Sequence, residues 1–321
     1  MELSVIDEIG CNGLVPVMKF KNASDAVPAC RAVSRGGLNV AEITFRTDAA
    51  EEAIRAVCAA FPDMIVGAGT VTTVEQAQRA RQAGAQFIVM PGFNPKVVSW
   101  CVEQGVPVVP GVNDPSGIEA AMELGLNCVK FFPAEASGGV KFLKAVHAPY
   151  ANVTFMPTGG VNEDNLCEYL AVPGVIACGG SWMVPSDAVE KGDCDTVESL
   201  VRRAVQKMLR FRLAHVGINT GSAEHALATA ELLARLFGFE AKEGGSSVMS
   251  ASAVELMKVA GHGTNGHIGI ATSSVDRAVY FLERKGFAFD AQSEKRDPNG
   301  ARKVVYFRDE IAGFAFHLVQ G

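Results

Sequence analysis

The sequence predicts an α/β chain in two parts. Residues 1–211 read as a (β/α)8 barrel of the TIM-barrel type, and residues 212–321 as a smaller α+β domain of two βαβββ repeats. Three observations carry this prediction. Short apolar runs alternate with helix-period segments eight times in about 200 residues, near the lower length limit of a closed barrel. Cysteine then disappears, since all 8 lie between Cys11 and Cys194. Finally, the tail echoes itself: the seven residues 214–220 (Ala-His-Val-Gly-Ile-Asn-Thr) return as 266–272 (Gly-His-Ile-Gly-Ile-Ala-Thr). A period of about fifty residues is the signature of duplication. Doubly wound sheets alternate strand and helix too; the count of eight and the short loops favour closure.

The elements follow in order. Leu14 to Phe20 is strand-like, and Ser24 is placed to cap the helix that ends at Gly36-Gly37. Asn39 to Phe45 is the second strand, followed by a helix over 49–60. Met64 to Gly67 is the third strand, closed by a turn over Gly67-Ala68-Gly69-Thr70, then a helix to Ala83. Gln86 to Met90 and Pro107 to Pro110 are strands four and five. Asn94-Pro95 and Asp114-Pro115 open the helices after them, because proline fits the first helical position. Asn127 to Phe132, Val153 to Pro157 and Gly174 to Cys178 are strands six to eight. Their helices span about 139–146, 162–170 and 196–210. Each repeat of the tail runs from its strand into a helix, Ala223 to Leu236 and Val275 to Lys285. Arg210-Phe211-Arg212 leaves almost no linker, which suggests a fixed join.

Composition narrows the function classes. The chain has 29 Lys+Arg against 35 Asp+Glu, a formal charge of −6, which argues against nucleic acid or an anionic membrane as its main partner. Met1 to Gly10 carries three acidic residues and no apolar core of a leader, and no apolar run is long enough to span a bilayer. With no CxxC pair, the cysteines read as reduced, buried thiols of a cytoplasmic protein.

The chemistry centres on Cys128-Val129-Lys130-Phe131-Phe132-Pro133-Ala134-Glu135. A lysine inside a buried strand is costly unless its amine is neutral or paired. A neutral amine is a nucleophile whose natural partner is a carbonyl. The alternative is a lysine at a strand end with its head in water. In a barrel the chemistry lies at the C-terminal strand ends, here Glu42, Arg46, Thr70, Pro91, Asn113, Lys130, Thr158-Gly159-Gly160 and Gly179-Gly180-Ser181. Glu42 can face the same mouth as Lys130, or pair with Arg46 on the surface. Gly-rich turns after strands seven and eight suit a phosphate, although tight-turn geometry alone also uses glycine.

With these residues assembled, residues 12–212 resemble the aldolases of 2-keto-3-deoxy-6-phosphogluconate (KDPG) and 4-hydroxy-2-oxoglutarate (KHG). The matching segments are residues 40–47, 66–71, 129–135, 157–161 and 179–182. The resemblance implies a class I lyase that needs no metal for the aldol step. Lys130 would form the imine and Glu42 would act as general acid/base through a water. Arg46 and Thr70 would hold the 2-oxo-acid carboxylate, with Pro91 in the binding site and Thr158 by the substrate hydroxyls. Gly159, Gly160, Gly179, Gly180 and Ser181 would cradle the 6-phosphate, and Phe132 would pack beside the imine. Products would be pyruvate and glyceraldehyde 3-phosphate, from a trimeric enzyme. Val17-Met18-Lys19-Phe20 follows the family pattern loosely where some relatives have an arginine. Cleavage of 4-hydroxy-2-oxoglutarate, and a non-catalytic binding protein on the same scaffold, are the alternatives.

Residues 212–321 resemble the glyoxalase/bleomycin-resistance, or vicinal oxygen chelate, superfamily. That resemblance implies a His at each repeat start, here His215 and His267, and an acidic residue near each repeat end. Glu255 fills the first end; His317 stands at the second, where the family usually has Glu. Three His and one Glu would suit a divalent ion such as Zn²⁺ or Ni²⁺. The alternative for the histidines is a hydrogen-bonded place in a half-buried strand, and the alternative to an independent activity is an interaction module that contributes to assembly or covers a barrel mouth.

Overall fold

A computed structural model describes residues 3–321; Met1 and Glu2, which open the stretch read above for a leader, lie outside the described residues. The chain divides into two compact units, the first ending at Met208 and the second running from Leu209 to Gly321.

The first unit opens with helix α1 (Val5–Asn12), which the sequence reading passed over. Its signal is a capping box: the Ser4 hydroxyl accepts from Asp7 N while the Asp7 carboxylate reaches back to Ser4. Nine strands follow: β1 (Leu14–Met18), β2 (Val40–Thr44), β3 (Ile65–Gly69), β4 (Phe87–Val89), β5 (Val108–Val109), β6 (Gly111–Val112), β7 (Cys128–Phe131), β8 (Thr154–Phe155) and β9 (Cys178–Gly180). Helices alternate with them: α2 (Ala26–Gly36), α3 (Ala50–Ala60), α4 (Val74–Ala83), α5 (Pro95–Glu103), α6 (Pro115–Glu123), α7 (Gly139–His147) and α8 (Leu166–Leu170), then α9 (Ser186–Glu190) and α10 (Cys194–Leu209).

All the pairings in this unit are parallel. One sheet runs β5-β4-β3-β2-β1-β9 and another β6-β7-β8. Pro110 separates β5 from β6: it has no N–H to give, while its carbonyl accepts from Lys130 N at 2.8 Å. Isolated parallel bridges, Phe155 to Val175 and Thr158 to Gly179, link the β8 segment towards β9.

Strand periodicity sorts the side chains into layers. Val15, Val40, Ile65, Phe87, Val109, Cys128, Met156 and Ala177 form one buried apolar cluster, joined by Ile9 of α1. Two residues further along the same strands come Val17, Glu42, Gly67, Lys130, Thr158 and Gly179. The apolar layer thus lies at the strand starts, and the chemistry-bearing layer sits above it. Asn94 and Asp114 cap α5 and α6 as their Asn-Pro and Asp-Pro pairs predict.

Several local expectations are corrected. Ser24 does not cap α2; it lies in a 3-10 turn (Ala23–Asp25) that runs straight into the helix. The third strand does not end at Gly67: Ala68 and Gly69, expected in the turn, continue β3, paired in register with Ile43 and Thr44. The helix expected over 162–170 is only α8; Asn162 and Asn165 instead spend their side chains on the loop before it. Strand eight is displaced: pairing of Leu14, Val15 and Pro16 with Cys178, Gly179 and Gly180 puts those glycines inside β9. Of the eight thiols, Cys30, Cys101, Cys128 and Cys178 are buried, while Cys11, Cys58, Cys167 and Cys194 are partly exposed.

The second unit contains β10 (Arg212–Asn219), α11 (Ala223–Phe237), β11 (Ala241–Glu243), β12 (Ser247–Ser250) and β13 (Val254–Met257). The same order returns as β14 (Gly266–Thr272), α12 (Val275–Glu283), β15 (Phe289–Arg296), β16 (Arg302–Phe307) and β17 (Ala315–Gln320). All eight strands form one sheet, β11-β12-β13-β10-β14-β17-β16-β15, in which β10 meets β14 antiparallel. Ala226 and Ala230 of α11 pack on Val248 and Leu256. Among the described residues, no helix is long and apolar enough to cross a membrane.

Candidate active site and a histidine cluster

The chemistry-bearing layer of the first unit opens into a cleft of about 250 Å³. Lys130 reaches it from β7. Its neighbour Phe131 points the other way and stacks on Phe142 of α7 at 4.9 Å, so strand alternation turns Lys130 inward. Lys130 Nζ lies 3.5 Å from Glu42 Oε1, and the two side chains are 6% and 0% exposed. The sequence reading set Glu42 at the same mouth as Lys130, with water for Lys130 and Arg46 for Glu42 as the alternatives; the fold pairs the two with each other. The second carboxylate oxygen, Glu42 Oε2, is buried with no hydrogen-bond partner among the described residues. A buried ion pair is costly to break, because either charge alone would be stranded.

Glycine makes room for this pair. A Cβ on Gly69 would lie 2.1 Å from Glu42 Oε1 and 2.7 Å from its Cδ, so only glycine leaves the carboxylate its place. On the same strand, Gly67 makes room for the Phe87 ring, 2.2 Å from its would-be Cβ. The sequence reading set Gly67 where strand meets turn and Gly69 in the turn; a glycine inside a strand marks close approach, and that was the available signal.

The remaining predicted residues gather around the pair. Phe132 sets its ring centroid 5.2 Å from Lys130 Nζ. Arg46 is exposed at the rim, and its Nε donates to Thr44 Oγ1 at 3.2 Å. Thr44 in turn donates to Met18 O at 2.9 Å, a buried anchor for Arg46 that sequence reasoning missed. Thr70 lines the cleft with φ 58, a left-handed conformation that costs a non-glycine residue energy. Pro91 and Thr158 also line it, as do Val17 and Val161, which were not foreseen. Asn113 is exposed and is not among the lining residues.

Gly159 and Gly160 form a true left-handed turn, with φ of 93 and 85. Gly180 and Ser181 line the cleft beside them. Gly179 stands behind: its Cβ would lie 2.3 Å from Thr158 Oγ1, so it serves close strand packing rather than a turn. Gly180 is likewise covered by the Trp182 ring.

In the second unit the sheet register brings four predicted ligands to one place. His215 pairs with Gly269 across β10 and β14, and Gly217 with His267. Each imidazole lies over the other repeat's glycine: a Cβ on Gly217 would be 2.0 Å from the His267 ring, and one on Gly269 2.5 Å from that of His215. The ligating atoms of His215, His267 and His317 fall within 4.8 Å of one another. Glu255 Oε2 is 3.1 Å from His267 Nε2 and 3.5 Å from His215 Nε2. Hydrogen bonding from His267 holds Glu255 down to about 2, and burial lowers His317 to about 4 and His215 in the same direction. Neutral imidazoles and an ionised carboxylate are the forms that bind a cation, so this donor set fits a divalent metal. Tyr306 stacks on His317 at 4.6 Å and lines an adjoining cavity of about 480 Å³.

Comparison with known proteins places this geometry. The family model described as "Aldolase: KDPG and KHG aldolase" matches residues 5–200. The chain is 47% identical over 201 residues to the 2-dehydro-3-deoxy-phosphogluconate aldolase of Haemophilus influenzae, covering 63% of this chain and 95% of that protein. It is 44% identical over 193 residues to the KHG/KDPG aldolase of Escherichia coli K12, covering 60% and 91%. Among solved structures, it is similar to a Legionella pneumophila KDPG aldolase with pyruvate captured at low pH as a covalent carbinolamine intermediate. That likeness has a TM-score of 0.61 and 35% identity, over 64% of this chain and 99% of that one.

Proposed function

The chain belongs to the KDPG and KHG aldolase family, and on that premise we propose how its own residues carry out class I aldol cleavage of 2-keto-3-deoxy-6-phosphogluconate to pyruvate and glyceraldehyde 3-phosphate. The observation that carries the reading is the buried Lys130–Glu42 pair at 3.5 Å on the wall of the cleft.

Lys130 Nζ gives a proton to Glu42 and attacks the C2 ketone; Glu42 then returns the proton to the carbinolamine hydroxyl, which leaves as water, and a protonated imine and an ionised Glu42 remain. The C3–C4 bond then breaks. Its electrons flow into the imine while the C4 hydroxyl proton passes, through a water, to Glu42. The aldehyde leaves; the enamine takes a proton at its methylene carbon, and hydrolysis frees pyruvate and Lys130. The lysine supplies the electron sink, so the step calls for no metal. Arg46, steadied by Thr44, binds the 2-oxo-acid carboxylate with Thr70, since a planar guanidinium suits a carboxylate. Pro91 and Phe132 shape the cleft, Thr158 meets the substrate hydroxyls, and Gly159, Gly160, Gly180 and Ser181 receive the phosphate, with Gly179 packing behind them.

In this reading the parallel pairings make a closed (β/α)8 barrel, residues 1–211 form the aldolase domain, and the assembly is a trimer, which sedimentation would test. Steady-state kinetics with KDPG and 4-hydroxy-2-oxoglutarate test the substrate: the phosphorylated acid is expected to have the higher kcat/KM. A preference for the unphosphorylated acid would reassign the substrate; turnover retained in Lys130→Ala would refute the mechanism.

We read the second unit, residues 212–321, as two vicinal-oxygen-chelate-type repeats holding a divalent metal on His215, Glu255, His267 and His317. Such an ion would supply a Lewis acid at the histidine cluster, next to Tyr306, which lines the adjoining cavity. Titration of chelator-treated protein with Zn²⁺ or Ni²⁺ tests this; stoichiometric binding lost in His267→Ala supports it, and no binding overturns it.

A further inference from the structure

Glu135 closes the segment that carries Lys130, yet the mechanism gives it no task. Its backbone N donates to Gly159 O at 3.0 Å, and Ala134 N donates to Thr158 O at 2.8 Å, so this stretch runs alongside the loop assigned to the phosphate. Its side chain lies against that loop, since a Cβ on Gly160 would fall 2.4 Å from Glu135 Cγ. From the other side, Asn162 and Asn165 donate their amides to Gly160 O at 3.2 and 3.1 Å. Glu135 and Gly160 are both exposed, so a carboxylate beside this loop opposes an anionic ligand through solvent, a repulsion that is screened yet still felt at low salt.

Among the described residues, one side chain holds this carboxylate. The Tyr169 hydroxyl, on α8 and fully buried, donates to Glu135 Oε1. Gly139 leaves the space in which they meet: its Cβ would lie 3.1 Å from Tyr169 Oη and 3.3 Å from Glu135 Oε1. Burial, and then the neighbouring carboxylate, raise the Tyr169 pKa, so the hydroxyl keeps its proton and remains a donor.

We propose that Tyr169 is a positioning residue for substrate choice: by tethering the Glu135 carboxylate it keeps the Gly159–Gly160 loop open to a phosphorylated substrate. The inference rests on the aldolase reading above. It predicts an effect confined to the phosphate, one that vanishes when the charge on Glu135 is removed.

The test uses full-length Tyr169→Phe, Glu135→Gln and the double variant. Each is assayed on KDPG and on 4-hydroxy-2-oxoglutarate, and titrated with inorganic phosphate as a readout independent of turnover. Tyr169→Phe should raise KM for KDPG about tenfold with kcat held within about twofold, and weaken phosphate binding similarly. KM for the unphosphorylated acid should stay within about twofold. The double variant should recover KM for KDPG to within about threefold of the parent. Equal losses on both substrates, or no recovery in the double variant, would overturn the proposal and leave Tyr169 a structural residue. A parent that cleaves neither acid would refute the aldolase reading instead, while the phosphate titrations would still decide the role of the tether.

Discussion

Replacing Gly69 by alanine tests whether the position of Glu42 matters for catalysis. The backbone at Gly69 does not need glycine's left-handed freedom, so the effect of a methyl group there is steric. That methyl would lie 2.1 Å from Glu42 Oε1, more than 1 Å short of the 3.4 Å at which ordinary contact begins, and 2.7 Å from Cδ and Cγ. Glu42 is fully buried, so the carboxylate has to swing away from Lys130 or the strand has to shift. Overpacking of this kind costs about 1–3 kcal/mol of stability. A general acid/base displaced by about 1 Å costs on the order of a hundredfold in rate, equivalent to about 2.7 kcal/mol of barrier. The assay is pyruvate release from KDPG, coupled to NADH oxidation, with a thermal melt to establish folding. Gly67→Ala is the control: its methyl would strike Phe87, not Glu42, so it should lower stability similarly while changing kcat by only a few-fold. A folded Gly69→Ala protein with kcat within about threefold of the parent would refute the reasoning.

Other predictions address separate parts of the structure. Glu42→Gln keeps the buried volume but removes the base and leaves Lys130 without its carboxylate, so kcat should fall by roughly 10²–10⁴ and the melting temperature should drop by several degrees in a protein that still folds; a smaller fall in kcat would remove Glu42 from the proton path. Gly217→Ala, which would drive a methyl to within 2.0 Å of the His267 ring, should weaken Zn²⁺ binding at least tenfold and leave KDPG cleavage unchanged, as calorimetry and the coupled assay would show. Burial pushes the Cys128 and Cys101 thiols up to about 11, so only about one molecule in a thousand carries the reactive thiolate at pH 8. Both should resist a disulfide reagent in the native protein, with any residual reactivity rising about tenfold per pH unit; rapid labelling at pH 8 would contradict their burial.

Much of the site was legible because strands impose a period of two. An apolar strand holding one lysine, and another holding one glutamate, left few places for those side chains except the inside of a parallel sheet. Pro91, Thr158 and the Gly159–Gly160 turn followed from their positions at strand ends. The glycines were harder to read. Gly69, Gly179 and Gly217 look like turn or spacer residues in one dimension, and their purpose is set by Glu42, Thr158 and His267 from other strands. Strand eight was misplaced by a few residues because Gly179 and Gly180 resemble a turn, whereas pairing with Val15 and Pro16 makes them strand. Thr44 and Tyr169 left no trace, since each acts on a side chain whose own position only the fold reveals. The echo of His215 in His267 gave the second cluster, but only the register of β10 against β14 explains why each histidine needs the other repeat's glycine.

The central claim is that Lys130 is the imine-forming nucleophile. Borohydride reduction in the presence of pyruvate, followed by mass spectrometry of the peptide containing Lys130, tests it most directly. The account predicts a reduced pyruvyl adduct on Lys130, and no such adduct at that position in folded Lys130→Ala. An unmodified Lys130 in folded parent protein, or an adduct on another lysine, would contradict it.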